Sequence, residues 1–151
     1  MILQEKKKTE NKKDDRLRVC FVCTGNTCRS PMAAAVLNHL APERFTATSA
    51  GLCASGGKDM SRGAQIALES MGVKVPAHIS RPFTETTAKD NDIIIAMTGA
   101  HLMTLMQAFP EYMSKFEVMP HEISDPFGMD DEAYKKCLDE IVRGIKERFA
   151  L

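Results

Sequence analysis

At 151 residues the chain has the size of one domain, and a content of 44% apolar and 26% charged residues excludes a disordered or fibrous protein. Twenty basic residues balance twenty acidic ones, so no long-range field draws in nucleic acid or anionic lipid, and any anion specificity must be local. No apolar run approaches the roughly 18 residues of a membrane span, and only Met1, Ile2 and Leu3 precede the charged run. That is too short for a secretory leader, so the expected location is the cytoplasm, where the five cysteines are reduced thiols.

Residues 1–15, rich in Lys, Glu and Asp, read as a disordered charged tail with almost nothing to bury. Leu17 to Cys23 is a near-continuous apolar run, the pattern of a strand buried on both faces. Thr24-Gly25-Asn26 breaks it, with Gly25 and Asn26 able to take left-handed conformations. Ser30-Pro31 then offers an N-cap and a first-turn proline, and Met32, Val36, Leu37 and Leu40 follow at helical spacing. A strand at Phe45 to Ala50, a loop with Gly51, Gly56 and Gly57, and a helix near Ser61 to Met71 come next. Ile93 to Met97 is another buried strand, followed by a helix carrying Leu102, Met103, Leu105 and Met106, and Phe116 to Met119 is a shorter strand. Tyr134, Leu138, Ile141, Val142, Ile145 and Phe149 mark a final amphipathic helix, opened by Asp130, Asp131 and Glu132. This alternation predicts an α/β fold: a parallel sheet with helices on both faces and ligands beyond the carboxyl ends of the strands.

The loop Cys23-Thr24-Gly25-Asn26-Thr27-Cys28-Arg29-Ser30 carries the chemistry. The spacing C-x5-R is weak by itself, because Cys137 and Arg143 share it inside the last helix, where six residues turn the side chains to different faces. Cys23 differs: a buried strand delivers it to the sheet edge, and the loop ends at a helix N-terminus where amides can converge on an anion. The forked guanidinium of Arg29 matches phosphoryl oxygens, the same positive field favours a thiolate nucleophile at Cys23, and Ser30 can donate its hydroxyl to that sulfur. Ser124-Asp125-Pro126-Phe127-Gly128 follows the fourth strand, so Asp125 is expected at the same edge as the proton donor such a nucleophile needs. Cys23 and Cys28 share one short loop and could form a protective disulfide.

CTGNTCRSP after the first strand and DPFG before the last helix resemble the low-molecular-weight protein tyrosine phosphatase family, over essentially the whole chain from Leu17. The resemblance implies a four-stranded parallel sheet in a three-layer arrangement, with residues 16–151 forming a single phosphatase domain. It implies catalytic roles for Cys23 as nucleophile, Arg29 as phosphoryl ligand and Asp125 as general acid. Thr24, Gly25, Asn26, Thr27, Cys28, Arg29 and Ser30 form the phosphate-binding loop, with Ser49 and Phe127 in support, and the substrate is a phosphorylated protein. His78-Ile79-Ser80-Arg81 also resembles a family segment, without an assigned role. Thr27 and DPFG are closer to the bacterial protein arginine phosphatase branch, since a hydroxyl can bond the N–H groups of a phosphoguanidinium where an apolar side chain cannot. Phosphotyrosine stays open as the alternative substrate.

Rival readings fit less well. An arsenate reductase would need two further redox cysteines close together, whereas Cys53 and Cys137 stand far apart, and a non-catalytic phosphate-binding module would not need Asp125. Cys20 and Cys23 have redox spacing, yet an odd separation on a strand sends their thiols to opposite faces. Gly51 to Lys58 misses the nucleotide phosphate-loop spacing by one residue. His39, His78, His101 and His121 read as isolated surface or core residues, so no metal and no cofactor is expected. The sequence leaves the oligomeric state undetermined.

Overall fold

The structure, a computed structural model, describes residues 14–151. The charged tail assigned to residues 1–15 therefore lies outside the described residues up to residue 13, and Asp14 pairs with Arg16 at 2.7 Å.

Four strands form one parallel sheet: β1 (Leu17–Cys23), β2 (Phe45–Gly51), β3 (Ile93–Ala96) and β4 (Phe116–Val118). Their spatial order is β2-β1-β3-β4. β1 is thus central, and the chain turns to one side of it for β2 and to the other for β3. That reversal makes the carboxyl end of β1 a topological switch point, where open α/β sheets bind ligands.

Helices cover both faces. Val19, Phe21 and Cys23 of β1 point into a core shared with α1 (Arg29–Leu40), α2 (Arg62–Ser70) and α5 (Asp131–Phe149). Cys20 and Val22 point into the opposite core, under α3 (Glu85–Asp90) and α4 (Gly99–Ala108). Full burial of β1 from Val19 onward explains its unbroken apolar run. The alternation also separates the thiols of Cys20 and Cys23, which belong to different cores. A 3-10 turn, Pro110–Lys115, leads into β4.

Several local details differ from the sequence reading. α1 begins at Arg29 with Cys28 in the cap position and no side-chain cap, so Ser30 is not the N-cap; its hydroxyl turns inward to Cys23 and Asn26 instead. Asn26, at φ 59°, takes the left-handed conformation, and Gly25 is not among the positive-φ glycines. Asn26 can hold that conformation because its side chain is fully bonded, as described below. β3 and β4 each end one residue earlier than the sequence pattern, although Met97 and Met119 still donate backbone hydrogen bonds to Val22 and Ala96. α3 and the 3-10 turn carry no apolar periodicity of their own. Among the described residues no helix is long and apolar enough to cross a membrane.

Candidate active site

β1 ends at Cys23 and α1 begins at Arg29, so five residues bridge a strand end and a helix N-terminus. The carbonyls of this bridge are held from outside. Cys23 O accepts from Leu52 N, Thr24 O from Cys53 N and Thr27 O from Ser61 N, each at 2.9 Å, and Asn26 O lies 2.7 Å from His78 Nε2. In a trans peptide the C=O and the following N–H point in opposite directions. Anchoring these carbonyls outward therefore turns the N–H groups of Thr24, Gly25, Thr27 and Cys28 toward the concave side. With the uncapped first turn of α1, they make a nest of donors suited to a tetrahedral anion.

Asn26 locks the loop from within. Fully buried, it donates from Nδ2 to Ser30 Oγ at 2.8 Å and to Ser49 Oγ at 2.9 Å, and its Oδ1 accepts from Arg81 N at 3.0 Å. An amide nitrogen only donates, so Ser30 accepts from Asn26 and keeps its own proton for the Cys23 sulfur, 2.9 Å away. A donor aimed at the sulfur is what a thiolate requires.

The loop floors a cavity of about 300 Å³, lined by residues 23–29 together with Cys53, Ala54, Ser55, Lys58, Ser80, Asp125 and Phe127. Arg29, at the start of α1, is buried, with Nη1 donating to Ile123 O at 3.3 Å and Nη2 lying 3.4 Å from Asp125 Oδ2. Asp125 caps its own turn, accepting from Phe127 N at 3.1 Å, and Glu140 of α5 grips the preceding residue through Ser124 N and Oγ at 3.0 and 3.1 Å. Phe127, 73% exposed, stands at the mouth. Thr27, half-buried, lines the cavity with its hydroxyl 3.7 Å from Cys28 Sγ. Every phosphate-loop and catalytic residue singled out in the sequence lines this one cavity except Ser30, which meets Cys23 from beneath, and Ser49, one bond further out through Asn26.

Two histidines read as isolated are not. His78 holds the Asn26 carbonyl, and His101 Nε2 lies 2.9 Å from Thr24 Oγ1; in sequence they stand 52 and 77 residues from those partners, too far for any local pattern to disclose. His39 is exposed, and His121 bonds Glu140 O at 3.0 Å. Ser61 and Tyr134 are further contacts the sequence did not reveal, 3.2 and 3.5 Å from Cys28 Sγ. Cys53 is exposed at the rim, whereas Cys137 is fully buried in α5. Among the described residues no group of three or more His, Cys, Asp or Glu side chains could hold a metal ion.

A donor nest, a sulfur with a hydroxyl donor, a buried guanidinium and a solvent-side carboxylate can together bind a phosphoryl group, attack it and protonate what leaves. Comparison with known proteins agrees. The family model of low molecular weight phosphotyrosine protein phosphatase matches residues 18–150. The chain is 35% identical over 131 residues to a protein-arginine-phosphatase of Geobacillus stearothermophilus, covering 82% of this chain and 88% of that one. A solved low molecular weight protein tyrosine phosphatase from T. tengcongensis superposes with a TM-score of 0.84 at 33% identity, covering 89% and 98% of the two chains. A YwlE arginine phosphatase mutant with a phosphorylated active site serine superposes with a TM-score of 0.82 at 30% identity, covering 89% and 96%.

Proposed function

The chain belongs to the low molecular weight phosphotyrosine protein phosphatase family, and from that premise we propose that it hydrolyses phosphoarginine in proteins by double displacement through Cys23. The observation that carries the reading is the convergence of Cys23, Arg29 and Asp125 on one cavity.

In the first step the Cys23 thiolate attacks phosphorus in line, the S–P bond forms, and the bond from phosphorus to the guanidinium nitrogen breaks. Asp125 gives its proton to that nitrogen as it leaves. The loop amides and Arg29 balance the charge on the equatorial oxygens, where preorganised donors act most strongly. In the second step Asp125, now a carboxylate, takes a proton from water as the water oxygen attacks phosphorus. The S–P bond breaks, inorganic phosphate departs and the thiolate is restored. Asn26, Ser30 and Ser49 hold the nucleophile in place. The relative with a phosphorylated active site serine supports a covalent intermediate of this kind.

Two features favour phosphoarginine over phosphotyrosine: a hydroxyl-bearing side chain, Thr27, in the cavity lining, able to bond guanidinium N–H groups, and the likeness to a protein-arginine-phosphatase. Phe127 does not discriminate, because its exposed ring can stack on a guanidinium or on a phenol. The test is kcat/KM on a phosphoarginine peptide and on a phosphotyrosine peptide, for the wild type, Cys23→Ser and Thr27→Ile. Cys23→Ser abolishes both turnovers while retaining phosphate binding. Thr27→Ile lowers phosphoarginine turnover by roughly tenfold, the worth of one or two hydrogen bonds, and spares phosphotyrosine. Wild-type turnover in Cys23→Ser overturns the mechanism, and a wild-type preference for phosphotyrosine overturns the substrate.

A further inference from the structure

We infer that His101 is a positioning residue of this site, donating from Nε2 to the Thr24 hydroxyl so that the hydroxyl proton of Thr24 points into the cavity at the bound phosphoryl group. The inference rests on the phosphatase reading and adds a component to it.

Three side chains form a line from the start of α4 to the phosphate loop. Thr98 caps α4, and its Oγ1 accepts the backbone N–H of His101 at 3.3 Å. The same Oγ1 is 3.0 Å from His101 Nδ1. His101 Nε2 is in turn 2.9 Å from Thr24 Oγ1. His101 is buried, with the whole residue 8% exposed, and Thr24 lines the cavity next to the nucleophile.

The protons of such a line can run in either direction. Running outward, Thr24 would donate to Nε2 and present only lone pairs to the cavity. Running inward, Thr98 donates to Nδ1, Nε2–H donates to Thr24, and Thr24 keeps its own proton for the cavity. A thiolate and a phosphoryl group are both negative, so they select the inward direction. Thr98 Oγ1 already accepts a backbone amide, which leaves its proton for Nδ1. Both directions require a neutral ring with one proton, and burial, reinforced by the guanidinium of Arg29 against the weaker pull of Asp125, holds the imidazole below its ordinary pKa. The inward direction gives the anion a hydroxyl donor beside the amides of the loop and ties that donor to a second helix.

The test combines a mutant cycle with a tautomer measurement. Thr24→Val and His101→Leu each lower kcat/KM on a phosphorylated peptide by about ten- to a hundredfold, as loss of a hydrogen bond to a charged partner does. The double variant is no worse than about twofold below the weaker single variant, because both remove one donor. His101→Gln, whose amide N–H can replace Nε2–H, recovers part of the loss. Nitrogen NMR of the wild type with inorganic phosphate reports the proton on Nε2, whether or not turnover is measured. Losses that multiply in the double variant, full activity in Thr24→Val, or a proton on Nδ1 overturn the proposal. Absence of turnover in the wild type on either phosphopeptide would instead overturn the phosphatase reading, leaving the NMR result to decide the role of His101 in anion binding.

Discussion

Arg29 and Asp125 come from opposite ends of the chain, and their side chains meet with Nη2 3.4 Å from Oδ2, the arginine side chain 7% exposed and the aspartate side chain 55% exposed. A half-exposed ion pair contributes little to stability, so the significance of this one is positional. It sets the carboxylate on the solvent side of the group that would grip phosphate, where a leaving group has to pass. Two anchors fix that position: the Arg29 guanidinium donates to Ile123 O, and Glu140 binds Ser124, the residues just before Asp125.

Asp125→Asn therefore slows turnover by about 10² to 10⁴ on a substrate whose leaving group needs a proton, and far less on one with an acidic leaving group. Its folding stability stays within about 1 kcal/mol of wild type. Steady-state rates on a leaving-group series, with a denaturant titration alongside, check both statements; wild-type rates on the poor leaving group would assign the acid elsewhere.

Gly51 ends β2 directly behind the Cys23 to Ser30 loop. A Cβ there would sit 2.6 Å from the Thr24 carbonyl oxygen, 2.9 Å from Ala54 Cβ and 3.0 Å from Asn26 Cβ. The first neighbour is backbone and cannot swing away. Gly51→Ala should cost about 1–3 kcal/mol as an overpacking change, and activity should fall with it as the loop shifts. Denaturant unfolding and turnover measured together test this; an unchanged rate in a destabilised protein would mean the strain relaxes away from the loop.

The five cysteines should react unequally. Burial pushes the Cys20 and Cys137 thiols up to about 12, so in the folded protein at pH 8 both resist alkylation while exposed Cys53 is labelled. In denaturant all five react. Peroxide acts on the cavity, where Cys23 and Cys28 share one loop, and gives a disulfide that dithiothreitol reverses. Peptide mass spectrometry distinguishes the products: a sulfinic Cys23 beside a free Cys28 would rule out protection by that pair.

His101 makes the fold acid-sensitive. Its pKa lies below the ordinary 6.5, first through burial and then through Arg29, with Asp125 opposing. The unfolded chain therefore takes up a proton that the folded protein refuses. The stability this contributes is complete above about pH 6.5 and is lost as the pH falls toward the folded value. The Tm of wild type should drop more between pH 7.5 and pH 5 than that of His101→Gln; parallel curves would place the acid sensitivity in other groups.

The architecture was legible in the sequence because its signals are local. The unbroken apolar run of β1, the alternation of strands and helices and the 3.6-residue period of α5 each lie within a short window. The Cys23 to Ser30 loop was legible for the same reason, since nucleophile, glycine and guanidinium are neighbours in the chain. Asp125 was reachable through one rule, that successive parallel strands present their carboxyl ends on one edge. What tertiary structure decided was the orientation of those pieces. Ser30 was expected both to cap the helix and to donate to Cys23, and only the second holds, because its oxygen accepts from the amide of Asn26 and its proton is left for the sulfur. Gly25 and Asn26 both looked free to adopt the left-handed turn, and Asn26 alone adopts it, held by Ser30, Ser49 and Arg81. His78 and His101 looked isolated and support the loop across 52 and 77 residues. Periodicity records which face of an element is buried. It carries no record of which distant residue meets that face, since the meeting is set by the strand order around β1 and by the packing of α1, α4 and α5 at its carboxyl end.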